Sequence, residues 1–148
     1  MMKQLGDVAF WRIAMRPGRP MAVGRISQGN RHAVLFGLPG NPVAVMVTFA
    51  AFVRPALQRL MGWQAPPLPL LKAKSTEALR KKPGRTEYQR GIVSTNAAGE
   101  LQVSITGNQG SGVLSSMVHA NGLIVLHHAQ GNVAVGDAVD VMMFDGHL

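Results

Sequence analysis

The chain of 148 residues has no cysteine, so no disulfide framework and no thiolate metal site is available to it. That absence agrees with a cytoplasmic location. Its five His residues form no zinc-ligand spacing. Aromatic residues make up only 5% of the chain, and Tyr88 is the sole aromatic among the basic residues of the second half, which leaves no stacking platform for single-stranded nucleic acid. The longest apolar run, from Pro42 to Val53, ends at Arg54 short of the eighteen or so residues that a membrane span needs. The amino terminus, MMKQLGDVAFW, lacks the apolar core and small-residue cleavage site of a secretory signal. Acidic residues are scarce as well. Seven Asp and Glu stand against fifteen Lys and Arg, a formal charge of +8, so an anionic partner is expected unless the charge serves only to keep the surface soluble.

What is present is 47% hydrophobic residues, enough to bury a core in one domain or two small ones. Prolines in WQAPPLPLL, residues 63–71, forbid a helix and suggest an extended connector between two blocks. The division predicted is 1–63, connector 64–71, and 72–148. In the first block VAFWRIAM, MAVGRI and AVLFGL read as three strands separated by turn signals. A long helix is predicted from Pro42 to about Met61, with Asn41 as its cap, Pro42 in the first turn and Gly62 at its end. Pro55 should bend it near Ala51, because it removes a hydrogen bond and crowds the carbonyl four residues back. The second block carries short extended stretches, LKAKS, YQRGIVS, LQVSIT, GLIVL and AVDVMMF, between Gly, Asn and Asp turns, which fits antiparallel strands in a small barrel or sandwich. One short helix is expected within 110–122.

Two stretches point to chemistry. In GLPGNP, Gly37 to Pro42, glycines flank a proline between a strand and a helix, so the backbone can turn tightly and offer helix N–H groups to an oxyanion. A ligand-free strand-to-helix turn explains the same residues, and the lysine-serine ending of a Walker A loop is absent. In FWRIAMRPGRP, Arg12 and Arg16 would lie on one strand face about 13 Å apart, and Gly18 permits a turn that brings in Arg19. A charged, protected sheet edge is the competing explanation. Met117, Met142 and Met143 are read as core fillers, and adjacent His127 and His128 point to opposite faces of a strand, which prevents them from sharing an ion.

FWRIAMRPGRP followed by LFGLPGNPVAV resembles the end of the molybdopterin-binding domain of the MoeA and gephyrin E-domain family of molybdopterin molybdenumtransferases. RTEYQRG and TGNQGSGVLSSMVHANGLIVL resemble that family's C-terminal β domain. The resemblance implies a partial α/β molybdopterin-binding domain followed by a small all-β barrel-like domain. It implies an enzyme of molybdenum cofactor biosynthesis that inserts molybdate into adenylylated molybdopterin with release of AMP, assisted by Mg²⁺ and acting as a homodimer in the full-length protein. A basic nucleic-acid-binding module and a non-catalytic scaffold are the alternatives, with neither membrane nor nucleic acid expected as a partner. The substrate-binding residues it implies are Arg12, Arg16, Arg19, Gly37, Pro39, Gly40, Asn41, Pro42, Arg90 and Ser111, with Arg85 and Gln109 as weaker candidates. Relatives usually carry lysine where this chain has Arg12, Arg16 and Arg19, a change that keeps charge and alters shape. The family's acidic catalytic residues are expected in segments upstream of Met1, so none is assigned here, and the opening Met1-Met2 suggests a start inside a longer gene. None of the seven acids stands, in sequence, in the turns around Arg16 or Gly37.

Overall fold

The computed structural model describes residues 6–64, 66, 68–107, 109 and 115–144. Three antiparallel strands form the first sheet, in the order β1 (Gly6–Arg12), β3 (Pro20–Gln28) and β4 (Arg31–Gly37). Gly24 is required where β3 passes β1, since a Cβ there would lie 2.8 Å from the Asp7 carbonyl and 2.9 Å from the Val8 Cα.

The first predicted strand does not run through to Met15. It stops at Arg12, which pairs with Pro20 across the sheet, and the chain between them leaves as a loop closed by Ile13 N–H donating to Arg19 O at 2.8 Å. Two residues of that loop, Met15–Arg16, form β2 and pair in parallel with Thr86 and Glu87 of β6 (Thr86–Thr95) in the second sheet. Arg12 and Arg16 therefore do not share one strand face. The expectation fails because a long-range partner captures the middle of a locally strand-like run.

The helix begins at Pro42, with Asn41 Oδ1 accepting from Ala44 N–H at 3.2 Å, and ends before Gly62, whose φ of +78° suits glycine. Between α1 (Pro42–Thr48) and α2 (Arg54–Leu60), residues Phe49–Val53 form a π-turn. Pro55 is accommodated by this widened turn, which relieves the missing donor and the crowded carbonyl at Ala51. Taken together Pro42–Leu60 spans 19 residues, by length and composition alone enough to cross a membrane. Its α1 side is instead buried within the protein: Val47 and Ala50 pack with Met15 against Leu123, Val125 and Met142. No residue of α2 is buried, and Phe10 and Trp11 on β1 are 65% and 61% exposed, so the first lobe presents open sheet edges and apolar surface.

The second lobe is a closed five-stranded barrel, β6–β7–β5–β9–β8 and back to β6, built from β5 (Leu71–Ser75), β6, β7 (Leu101–Ile105), β8 (Gly122–Leu126) and β9 (Ala138–Met143). The short helix α3, Ser115–His119, precedes β8. The pairing of β5 with β7 is parallel, unlike the other barrel pairings, so the wholly antiparallel expectation is corrected. Val103, Ile124, Leu126, Val139 and Val141 fill the interior. Met117 and Met142 are buried as packing residues, and Met143 packs against the core from its edge.

On the barrel surface Asp140 accepts from Lys72 Nζ at 2.8 Å and sits 2.6 Å from His127 Nε2. The bond from Lys72 is the largest influence holding the Asp140 carboxyl below its ordinary range, with His127 adding to it. A depressed carboxylate stabilises the fold above its unfolded pKa, and this contribution is lost as pH falls through the folded value. Acidification from about pH 5 to about pH 3 should therefore lower the melting temperature. Asp140→Asn should flatten that acid limb in thermal melts followed by circular dichroism; an acid limb identical to that of the parent chain would contradict the assignment.

Candidate functional site

Between the first lobe and the barrel lies a cleft of about 490 Å³. One wall is the loop from Arg16 to Pro20, another is Pro39, Gly40, Asn41 and Ala44 at the helix start, and the barrel supplies Arg80, Glu87 to Arg90, and Gln109. Four guanidinium side chains, Arg16, Arg19, Arg80 and Arg90, thus meet one carboxylate, Glu87. Such a cleft favours an anion.

Three of these guanidiniums are placed by different devices. Arg16 is held by the parallel pairing of β2 with β6, which sets it in register with Glu87. Arg19 follows Gly18, whose φ of +93° turns the chain back toward β3, beyond the cis bond between Arg16 and Pro17. Arg90 lies on β6 opposite Leu123 of β8, and cross-strand partners share a face, so it points to the side that packs on the helix. It is only 2% exposed, and burial pushes its guanidinium below the usual range. Its backbone is clamped by Gln109: Arg90 N–H donates to Gln109 Oε1 at 2.8 Å, and Gln109 Nε2 donates back to Arg90 O at 3.0 Å. Burial also raises the Tyr88 phenol.

Of the residues singled out from the sequence, the cleft gathers Arg16, Arg19, Pro39, Gly40, Asn41, Arg90 and the weaker candidate Gln109. Arg12 and Gly37 line a neighbouring, more apolar groove of about 710 Å³, which Pro20, Pro39 and Gly40 share with the cleft. Pro42 is an exposed first helical residue and lines neither. Ser111 lies outside the described residues. The reading of GLPGNP as a set of open N–H donors needs revision. Pro42 has no N–H, the Ala44 N–H goes to Asn41 Oδ1 and the Val45 N–H to Asn41 O, so the helix start largely satisfies itself.

Two features were missed. Glu87, remote from Arg16 in sequence, is its cross-strand partner and lines the cleft, so an acid does stand beside the proposed ligand. Its carboxylate is bound by Arg85 Nε at 2.8 Å. The available signal was the two-residue spacing of Arg85 and Glu87, opposite charges that an extended backbone puts on one side. Arg80 is the other addition; nothing local in its sequence marks it. Among the described residues no group of three His, Asp or Glu side chains could hold a metal ion.

Residues 72–144 match the family described as "MoeA C-terminal region (domain IV)", and residues 1–59 match the "Probable molybdopterin binding domain". A molybdopterin molybdenumtransferase of Haemophilus influenzae is 39% identical over 99% of this chain and 35% of its own length. Gephyrin of Dictyostelium discoideum is 30% identical over 97% of this chain and 23% of its own length. Among solved structures, a molybdenum cofactor biosynthesis protein from Pyrococcus furiosus superposes with a TM-score of 0.72 at 28% identity, covering 93% of this chain and 46% of that one. The chain spans about a third of the length of the molybdenumtransferase it matches. With both domain types in family order and a basic cleft between them, the chain belongs to the MoeA and gephyrin family of molybdopterin molybdenumtransferases.

Proposed function

We propose that this chain serves molybdenum cofactor biosynthesis, as the part of an enzyme that inserts molybdate into adenylylated molybdopterin and releases AMP. The same reading carries a cytoplasmic location and a homodimer for the full-length protein. The observation that supports it is the convergence of Arg16, Arg19 and Arg90, from a loop and from a barrel strand, on one cleft. Both proposed substrates are anions, a phosphate-bearing pterin and molybdate. Guanidiniums match oxyanions with paired donors, and partial burial strengthens each contact. Arg90 would grip an oxyanion from the barrel side while Arg16 and Arg19 close on it from the loop. Ser111, matched by the family's motif, is proposed to add a hydroxyl donor. Arg12 and Gly37, in the adjoining groove, would meet a more distant part of the ligand.

The described residues do not fit a Mg²⁺ site. Hard cations need several oxygen ligands, whereas the cleft's one carboxylate, Glu87, is engaged by Arg85 and surrounded by guanidiniums. No step is assigned to the ion, and the 148 residues alone are proposed not to turn over. Mixed with adenylylated molybdopterin, molybdate and Mg²⁺, the chain should release AMP no faster than a protein-free control. It should still bind the pterin, and Arg16→Ala or Arg19→Ala should weaken binding about tenfold each in calorimetry, the scale of one charge-assisted contact. Unchanged affinity in both variants would remove the cleft from the reading. Salt-sensitive binding to random DNA with no response to the pterin would favour a nucleic-acid module instead.

A further inference from the structure

Adjoining the main cleft, with which it shares Arg16, Arg80 and Glu87, is a second, smaller cleft of about 440 Å³ whose further lining includes Lys81, Lys82, Arg85 and Asn132. Five cationic side chains, counting Arg16, face one carboxylate, and that carboxylate is already bound to Arg85. Among the described residues, Arg80, Lys81 and Lys82 take part in no ion pair.

The floor of this cleft is built. Leu79 and Val133 exchange two backbone hydrogen bonds, at 2.9 and 3.0 Å, which fastens the segment to the loop after β8. Lys81 N–H donates to Asn132 Oδ1 at 2.8 Å, and Gly84 N–H donates to His128 O at 2.8 Å. Lys81 is itself 4% exposed, with its ammonium donating to Lys82 O at 2.8 Å and Gln130 O at 3.2 Å. An ammonium has three N–H donors, and the two acceptors found for it among the described residues are neutral carbonyls. A buried cation balanced only by carbonyl dipoles raises the potential of the cavity it lines and makes an incoming anion more favourable. A fold that needed Lys81 only as filler would be served as well by an apolar side chain.

We infer that this second cleft is an anion-binding site for a phosphate group or another oxyanion of that size, adjoining the main cleft along Arg16, Arg80 and Glu87. The site goes beyond the pterin-binding reading and does not rest on it. The same chemistry is offered by free phosphate and by the phosphate of a nucleotide such as AMP.

The test is a titration of the isotope-labelled chain with inorganic phosphate and, separately, with AMP, following the amides of Lys82, Gly84 and Arg85 and the Asn132 side chain by NMR. Saturable shifts at these groups are expected. Lys82→Ala should weaken phosphate binding by roughly three- to tenfold, since Lys82 is exposed and its contact is partly screened. Lys82→Glu should abolish the shifts, and Lys81→Met should do so in a chain that circular dichroism shows folded. Arg19→Ala, which alters only the main cleft, should leave them unchanged, so failure of the pterin reading and failure of this site are read separately. AMP at least tenfold tighter than phosphate identifies a nucleotide as the source; equal affinities identify the free oxyanion. Absent or non-saturating shifts, shifts indifferent to Lys82→Glu, or binding confined to polynucleotides would overturn the proposal.

Discussion

Gly18→Ala is expected to destabilise the chain by about 2–5 kcal/mol and to remove ligand binding in the main cleft with it. Gly18 has a φ of +93°, where an L side chain adds roughly 1–2 kcal/mol of backbone strain. Its added Cβ would also collide with Thr48 Oγ1 and come within 3.3 Å of Met15 Cε. Thr48 cannot step aside easily: it is fully buried, and its hydroxyl donates to Ala44 O at 2.6 Å inside α1. Overpacking of this kind adds about 1–3 kcal/mol, and relief by moving the loop would carry Arg16 and Arg19 out of position. Gly99→Ala is the control. Gly99 has a φ of +81° with no heavy atom near the missing Cβ, so its substitution should show the backbone strain alone. Thr48→Ala combined with Gly18→Ala should recover part of the loss in a double-mutant cycle followed by urea unfolding. Equal losses at Gly18 and Gly99, or strictly additive effects with Thr48, would show that the close approach is not what the glycine serves.

Arg90→Met should do the opposite to stability while cutting affinity for the phosphate-bearing pterin by about ten- to a hundredfold. Methionine keeps most of the aliphatic volume and discards the charge. Burying a guanidinium carries a desolvation penalty, visible in the lowered pKa of Arg90, and replacing buried charges by packed apolar groups is often neutral or stabilising. The backbone clamp from Gln109 does not depend on the side chain at 90 and should persist. Thermal melts should therefore show an unchanged or raised melting temperature beside weakened binding in calorimetry. A melting temperature several degrees lower, with binding lost in proportion, would make Arg90 a structural residue.

Much of the architecture was legible because its signals are local. Every barrel strand coincides with a stretch of extended-type sequence between turn residues, and Asn41, Pro42 and Gly62 marked the helix ends. What escaped depends on contacts between distant segments. Nothing between Phe10 and Met15 announces that the chain abandons one sheet for two residues of another, since either pairing suits the same side chains. The parallel match of β5 with β7 and the approach of Glu87 to Arg16 are of the same kind. At Pro55 the chemistry was legible and the remedy was not, because a bend and a widened turn both answer a missing donor. For the site, Arg12, Arg16, Arg19 and Arg90 could be named from the sequence, while Arg80 and the division of the arginines between two clefts could not.

The loop from Ile13 to Arg19 carries a consequence for energetics. It leaves the first sheet, clips to β6 through Met15–Arg16, and returns, while Val47 and Ala50 press on the same barrel face. The main cleft is therefore the seam along which the two lobes dock. A ligand held at once by Arg19 on one lobe and Arg90 on the other binds the docked arrangement more tightly than a separated one. By reciprocity, whatever factor docking contributes to ligand affinity, the ligand returns to docking. Substitutions in the apolar seam, such as Ala50 or Val125, should then act as affinity mutations at a distance from any arginine.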